Sequence, residues 1–414
     1  MGIFMIEKSK NLYFSTQFII GVVLLISVFI ISYLISSDSY SDAAIWIAAC
    51  GLGFTLQKSR FCFASSFRDL FLFGSGQNMK GVLIAIAIAS IGFTGILSWI
   101  LPNPIPGEFP STAHVLPVGI STIIAGSIFG IGMVTAGGCV SGTIYRIAEG
   151  YVASMVTMIG IFIGTIILIL SWDFWWDKLI SNEPKVFLPS SYSLGYGFSL
   201  GITLFLLLLI YLIITFIETK SGINEFIITK KATVSSKGFY QRINQSFSDF
   251  FIKSWSVKAG GVSLGFIAII YFLFHSPPGV TGEIIKQSIS LSEFFNITNG
   301  PMKGISSLSG CLGASIGKGI ISHTFVSTIG VFFGALVSAL LAHEFKIRTP
   351  NEAKRYFQSL GGGILMGFSA SLGIGCTIGA FFSAISSFSL SGWVFGLSLC
   401  LGSFIGTKII RAIG

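Results

Sequence analysis

The run QFIIGVVLLISVFIISYLIS at residues 17–36 contains no charged residue over twenty consecutive positions. At about 1.5 Å of rise per residue, a helix of that length crosses roughly 30 Å of hydrocarbon. Backbone groups in lipid must form hydrogen bonds within the protein, and the run lacks the alternation of a β-barrel strand. It therefore predicts a transmembrane helix. Similar apolar runs recur at 43–56, 81–101, 119–137, 151–171, 192–217, 259–274, 324–342, 358–375 and 391–407.

These runs predict an all-α polytopic membrane protein, with about ten transmembrane helices and additional short re-entrant or broken helices. The composition agrees, because 52% of the 414 residues are hydrophobic and only 10% are charged. Soluble domains carry about 25% charged residues, so the soluble class is excluded. The first run is too long for the apolar core of a signal peptide, and no small-residue cleavage site follows it. We expect it to be retained as a helix in the bilayer.

The net charge of +9 is distributed unevenly along the chain. Lysine and arginine outnumber acidic residues in the segment 218–258, which the positive-inside rule places in the cytoplasm. The segments 102–118, 172–191 and 275–303 are poor in lysine and arginine and are expected on the outer face. The number of predicted crossings then places both termini in the cytoplasm. We expect the protein to lie in the inner membrane. No compact basic domain is present, so nucleic-acid binding is not expected.

The basic segment divides the chain into parts. We predict an N-terminal transmembrane helix in 1–41, a first membrane repeat in 42–217, a basic cytoplasmic linker in 218–258 and a second membrane repeat in 259–414.

The two proposed repeats share a local pattern. AGSIFGIGMVTAGGCVSG at 125–142 and GGGILMGFSASLGIGCTIG at 361–379 both contain G-x3-G-x7-GC-x2-G when Cys139 is aligned with Cys376. The predicted orientations of the two segments are opposite. The sequence therefore predicts inverted-topology repeats, an architecture of secondary transporters with a binding site at broken helices near the midplane.

The glycines before each of these cysteines favour a break in the helix. A break exposes backbone N–H groups at the positive end of the next helix, which attract anions. A lone cysteine in an apolar helix is usually a core residue. The symmetric position of this pair instead favours substrate binding. We predict a site that comprises Cys139, Cys376, Gly138, Gly375, Ser141 and Thr377.

A third candidate cysteine is Cys62, in the segment GFTLQKSRFCFASSFRD at 53–69. The segment is short, aromatic and flanked by positive charge, which indicates either a buried re-entrant piece or an amphipathic helix with an incidental cysteine. Arg60 and Arg68 are possible anion-attracting residues or interfacial anchors. In the second half, Cys311 is a possible counterpart of Cys62. Lys318 is either a residue of the path or a lysine that reaches an interface.

Four stretches make the chain resemble the YeeE/YedE sulfur-transport family of membrane proteins. They are QKSRFCFASSFRD at 57–69, GIGMVTAGGCVSGTIYRIAEG at 130–150, PPGVTGE at 277–283 and GIGCTIGAFFSAISSFSLSGW at 373–393. The resemblance implies transport of thiosulfate or a related anion along one cysteine from each of three motifs, here Cys62, Cys139 and Cys376. It also implies a small cytoplasmic sulfurtransferase as a partner. Some longer relatives are linked to selenium metabolism.

A path of neutral thiols suits a soft sulfur anion, because a thiol is a weak S–H donor that binds without trapping. The interpretation is therefore a permease for a sulfur-containing anion, with no enzymatic activity, no cofactor and no metal site. A permease for a selenium compound remains an alternative, as does a channel for another small solute with packing cysteines. A membrane thiol enzyme is a third alternative, although no histidine lies near the three cysteines in sequence.

Overall fold

The computed structural model describes residues 16–191, 195–220, 250–295, 302–305, 308, 310 and 322–413. Its regular elements in these ranges are helices. They are α1 Thr16–Ser36, α2 Tyr40–Lys58, α3 Phe63–Phe73, α4 Gln77–Ile100, α5 Ile120–Ala136, α6 Val140–Ala148, α7 Val152–Lys178, α8 Gly195–Lys220, α9 Val257–Phe274, α10 Thr281–Phe294, α11 His323–Leu341, α12 Ala353–Leu372, the π-helix α13 Thr377–Ser383 with its continuation Ala384–Ser386, and α14 Leu390–Ile413. Most of the basic linker 218–258 lies outside the described residues.

Eight helical segments of the described chain are long and apolar enough to cross a membrane. A ninth is formed if α12 and α13, which meet at a bend of 48°, count as one broken span. The all-α polytopic class is therefore confirmed. The expected number was about ten. Helix α2 is not among the eight. It has 19 residues, as α11 does, but it is more polar and largely buried.

Serine residues cap several helices at their first turn. The side chain of Ser39 accepts from the backbone N of Asp42 at 3.3 Å, and Ser256 and Ser322 each accept at 3.2 Å at the starts of α9 and α11. Such caps satisfy N–H groups that have no partner within the helix. The sequence thus marks these helix starts locally.

The order of helix lengths recurs along the chain. From α2 to α7 the order is long, short, long, long, short, long, and the same order runs from α9 to α14. The contacts between the two sets are exchanged: where a helix of the first set packs on a helix of the second, the counterparts of these two helices also pack on each other. Helix α2 packs on α11 and α9 on α4, while α5 packs on α14 and α12 on α7, and α5 also contacts α12. The exchange supports the predicted repeat, and its inverted orientation in the membrane stays a prediction.

Glycines allow the closest of these contacts. Gly160 of α7 faces Gly363 of α12, where an added Cβ would lie 3.0 Å from the Gly363 Cα. One turn along, Gly164 lies against the backbone of Ile364 and Gly367 against the backbone of Ile161. Small residues four apart let helix backbones approach closely in lipid, where apolar side chains add little driving force.

The start of α1 and the ends of α8 and α14 lie at one end of the bundle, together with several positively charged residues. Gln17, near the start of α1, donates to the Phe345 carbonyl at 3.1 Å, and Arg411 of α14 donates to the Leu72 carbonyl at 3.3 Å. Lys80 forms an ion pair with Glu218 near the end of α8. The starts of α1 and the ends of α8 and α14 therefore share one end of the bundle. The positive-inside rule predicts that this end is cytoplasmic.

Candidate functional site

The three predicted cysteines occupy the same structural position in three short helices. Cys62 is the N-cap of α3, Cys139 of α6 and Cys376 of α13, and each has extended backbone angles. Their exposed fractions are 2%, 0% and 0%. The predicted helix break is present before Cys139, where α5 ends at Gly137 with a φ of +81°. Each cysteine thus lies where a buried helix begins and its first N–H groups lack helical partners.

Cys62 and Cys139 are brought together although 77 positions separate them in the sequence. A Cβ added at Gly142 would lie 3.0 Å from the Cys62 Sγ and 3.3 Å from the Cys139 Sγ, so both thiols face the same small space. The Cys139 Sγ accepts from the Gly142 backbone N at 3.4 Å and lies 3.3 Å from the Ser141 Oγ. The structure therefore groups Cys62, Cys139 and Ser141.

Cys376 belongs to a second buried region. The next residue, Thr377, is 0% exposed, and its hydroxyl has no hydrogen-bond partner among the described residues. The His114 Nδ1 lies 3.3 Å from the Gly379 carbonyl oxygen. An added Cβ at Gly375 would lie 2.9 Å from the Ala380 backbone N, so this glycine allows the tight turn into α13.

Aromatic rings connect the two regions. The Phe63 ring, directly after Cys62, has its centroid 6.5 Å from Phe381 and 6.4 Å from Phe382. Phe67 also contacts Phe381, at 6.0 Å. These edge contacts join α3 to α13, the helices that begin at Cys62 and Cys376.

A cavity of about 400 Å³ opens from solvent to Cys62. Four arginines and two glutamates contribute to its walls, which gives the lining an excess of positive charge. The lining residues are Arg60, Cys62, Ser65, Arg68, Asn78, Tyr145, Arg146, Glu149, Tyr151, Glu344 and Arg348. Arg60 and Arg68, the two arginines predicted as possible site residues, both line it.

The four arginines differ in their partners. Arg60 pairs with Glu344 at 3.0 Å and Arg68 with Asp69 at 2.9 Å. Arg146 donates to the Gly137 carbonyl. Arg348 donates to the Glu344 carbonyl at 3.0 Å, and its guanidinium lies 4.7 Å from the Tyr151 ring centroid. Within the described part of the chain, neither Arg146 nor Arg348 forms an ion pair with a carboxylate. Their charge is therefore not neutralised by a direct ion pair among the described residues.

Comparison with known proteins identifies the family. The profile described as sulphur transport matches residues 58–405, which include all three cysteines and the whole lining of the cavity. The chain belongs to this family. Two relatives named thiosulfate transporter TsuA match nearly their full length. The one from Escherichia coli (strain K12) is 24% identical over 363 residues, 87% of this chain and 93% of the relative. The one from Spirochaeta thermophila is 28% identical over 361 residues, 85% of this chain and 94% of the relative.

A further relative of this sulphur transport protein matches a shorter part. The probable transporter YedE of Escherichia coli (strain K12) is 33% identical over 146 residues, 34% of this chain and 33% of the relative. The family and these relatives are transporters and not enzymes. The prediction of a multi-pass sulfur-transport membrane protein without enzymatic activity is therefore confirmed.

Several cavity residues of this sulphur transport protein were not predicted from sequence. Arg146 had a local signal, since it lies seven residues after Cys139 as the charged residue of a short apolar helix. A Cβ added at Gly138 would lie 3.4 Å from the Arg146 Nη1, so this predicted glycine leaves room for the guanidinium. Arg348 had no such signal, because it lies 286 positions from Cys62, with which it lines the cavity.

Two predicted residues of the second half, Cys311 and Lys318, lie outside the described residues. In the order of helices, the place of Cys62 is held by Val280, the N-cap of α10. Of the remaining cysteines, Cys50 is 6% exposed and packs in the contact between α2 and α11. Cys400 is half-buried on α14.

Proposed function

We propose that this protein takes up thiosulfate, or a closely related sulfur-containing anion, across the inner membrane. Two relatives named for thiosulfate transport align over 85–87% of the chain, which supports this substrate. The cavity supplies the matching chemistry. Arginine guanidinium groups bind oxyanions through several N–H donors, and thiols contact soft sulfur.

The observation that carries the proposal is the equivalent placement of three buried cysteines, each the N-cap of a short helix. Thiosulfate would enter from the outer face toward Cys376 and leave through the arginine-lined cavity past Cys139 and Cys62. Neutral thiols would contact its terminal sulfur. The hydroxyls of Ser141 and Thr377 and the free N–H groups at the helix starts would bind its oxygens. Several weak sites in sequence let an anion both bind and leave.

Passage along this path requires movement. None of the three cysteines is more than 2% exposed, and the rings of Phe63, Phe381 and Phe382 are packed between the helices that two of them begin. We infer that these ring contacts open during transport. Their edge-to-face geometry makes each contact worth about 0.5–1.5 kcal/mol, which is small enough to break on the time scale of transport.

The membrane potential opposes entry of a dianion. Moving two negative charges into a negative interior costs about 4.6 kcal/mol at roughly 100 mV. Consumption of thiosulfate inside the cell would favour net uptake. We therefore propose a small cytoplasmic sulfurtransferase as the partner that receives the anion, at the end of the bundle where the arginine-lined cavity opens.

The test is initial uptake of sulfur-labelled thiosulfate by cells that lack other sulfate and thiosulfate carriers. Serine keeps the size and hydrogen bonding of cysteine but lacks its soft sulfur. We expect Cys62→Ser, Cys139→Ser and Cys376→Ser each to lower uptake by about tenfold or more, equivalent to about 1.4 kcal/mol. Cys400→Ser, at a half-buried position of α14 outside the cavity lining, is the matched control and is expected to transport normally at equal membrane expression.

Two outcomes would contradict the proposal in different ways. Absence of uptake by the unaltered protein would exclude thiosulfate as the substrate. Uptake that survives all three substitutions would leave the transporter in place and eliminate the thiol path.

A further inference from the structure

A buried amide holds two carboxylates at the wall of the arginine-lined cavity. The Gln57 side chain is 0% exposed, and its Nε2 donates to the Glu149 Oε1 at 3.1 Å and to the Glu344 Oε2 at 2.7 Å. Its Oε1 accepts from the Ser338 Oγ at 2.5 Å. Ionised carboxylates only accept hydrogen bonds, so they fix the donor end of the amide toward them, and the Ser338 hydroxyl donates to the other end. Gln57 therefore holds both glutamates on the side of the amide that carries the donors.

The two carboxylates differ in how their charge is balanced. The second oxygen of Glu344 accepts from the Arg60 guanidinium at 3.0 Å, and its side chain is 26% exposed. Glu149 is 7% exposed and forms no ion pair within the described part of the chain. It lies directly after α6, the short helix that Cys139 begins, and it faces the same cavity as Arg146 and Arg348.

Opposing influences act on the Glu149 carboxyl. Burial raises its pKa, the hydrogen bond from Gln57 lowers it, and the charge of Glu344 raises it. The positive charges of Arg146 and Arg348 lower it. The titratable and charged groups around Glu149 come from α6 and from the segments after α2, α6 and α11. They are Arg60, Cys62, Tyr145, Arg146, Tyr151, Glu344, Lys346 and Arg348.

We propose that Glu149 is a proton-binding site linked to the anion: binding of the anion in the arginine-lined cavity takes up a proton on Glu149, and loss of that proton expels the anion. The proposal rests on the proposed function, because it assigns the coupled proton of the same anion site.

The anion and the proton are linked because the anion and Glu149 interact with the same two arginines, Arg146 and Arg348. An anion at Arg146 and Arg348 offsets the two positive charges that favour ionised Glu149, and it adds negative charge beside a buried carboxylate. Glu149 then binds a proton more readily. Linkage is reciprocal, so a proton on Glu149 must strengthen anion binding by the same factor, for which about 5- to 150-fold is typical.

The sign of the pH dependence follows from the pKa of Glu149, which is raised overall because burial is the largest influence on it. A carboxyl whose pKa is raised stays protonated to a higher pH than usual. Anion affinity is therefore high below the pKa that Glu149 has in the complex and falls as the pH rises through it. For transport, a proton bound with each dianion reduces the charge added to the site from −2 to −1.

The test uses the full-length protein purified in detergent and titrated with thiosulfate by calorimetry. Titrations in buffers with different ionisation enthalpies measure the protons taken up for each anion bound. We expect the unaltered protein to take up a proton and to bind about tenfold more weakly at the alkaline end of the range. Glu149→Gln, which mimics the protonated carboxyl, is expected to bind tightly at every pH without proton uptake.

Glu183→Gln is the matched control, since Glu183 is a partly buried, hydrogen-bonded carboxylate next to Ser121, outside the cavity lining. It is expected to keep the proton uptake of the unaltered protein. A second readout is the infrared difference spectrum on adding thiosulfate. A protonated-carboxyl band is expected in the unaltered protein and not in Glu149→Gln.

The outcomes separate the two proposals. If the unaltered protein binds no thiosulfate at any pH, the proposed function fails and this linkage fails with it. If the protein binds thiosulfate with no proton uptake, or if Glu149→Gln keeps the proton uptake and the infrared band, only the linkage is overturned. Size-exclusion profiles and thermal midpoints that match the unaltered protein show that the variant is folded.

Discussion

Gly142 occupies the space that the thiols of Cys62 and Cys139 share, so Gly142→Ala tests whether an anion passes between them. The added Cβ would lie 3.0 Å and 3.3 Å from the two sulfur atoms. Both distances are tighter than usual contacts, and the thiols must move apart by a few tenths of an ångström to admit the methyl group. The methyl group then lies where the anion's terminal sulfur would contact the thiols.

Two opposing terms set the effect on folding. Gly142 lies within α6, where alanine is favoured over glycine by up to about 1 kcal/mol. Overpacking a tight interior costs about 1–3 kcal/mol. We therefore expect a net loss of about 0–3 kcal/mol in unfolding free energy. If the anion-bound state carries the whole overpacking strain, binding weakens about 5- to 150-fold.

The assay is the initial rate of labelled thiosulfate uptake over a range of concentrations at matched expression. Gly361→Ala in α12 is the control, because an added Cβ there meets no atom within 4 Å. We expect Gly142→Ala to raise KM strongly and Gly361→Ala to transport normally. Uptake by Gly142→Ala at the rate and KM of the unaltered protein, with a normal thermal midpoint, would refute a path between the two thiols.

Two further changes test the charges at the same end of the bundle. Arg146→Gln removes a cavity charge that forms no ion pair with a carboxylate among the described residues, so we expect KM for thiosulfate to rise about tenfold. Arg411→Gln, which contacts backbone carbonyls in the described chain, is the control and is expected to change KM little. The same KM in both variants would contradict this role of Arg146. Lys80→Met leaves the Glu218 carboxylate buried without its ion-pair partner, so we expect unfolding to become easier by about 3–5 kcal/mol. Lys80→Met combined with Glu218→Leu is expected to recover most of the thermal midpoint measured in detergent, and a midpoint unaffected by Lys80→Met alone would show that the pair does not stabilise the fold.

The N-cap positions of two of the three cysteines could be predicted from the sequence. The glycines before Cys139 and Cys376 predicted helix breaks, and both cysteines do begin new helices. The reason is local, since clustered glycines destabilise a helix wherever they occur. The roles of these residues in transport stay predictions, as do Cys311 and Lys318, which lie outside the described residues.

The charge network beside the thiols was not readable from local patterns. Gln57, Glu149 and Glu344 come from three segments separated by about 90 and 200 positions, and only packing of α2 and α6 on α11 brings them together. Glutamine, glutamate and arginine at helix ends are ordinary interfacial residues in a membrane protein. Their sequence positions alone therefore gave no reason to group them.

The sequence by itself determined the membrane class, most of the helices and the family, because each depends on composition or on motifs within a few tens of residues. Long uncharged runs must become helices in lipid, whatever they pack against. The tertiary structure alone decided which residues meet. Packing places Cys62 beside Cys139, while Cys376 lies across an aromatic contact. Arg146, Arg348 and Glu149 share one cavity for the same reason, since contacts between distant segments depend on how helices pack and not on local sequence.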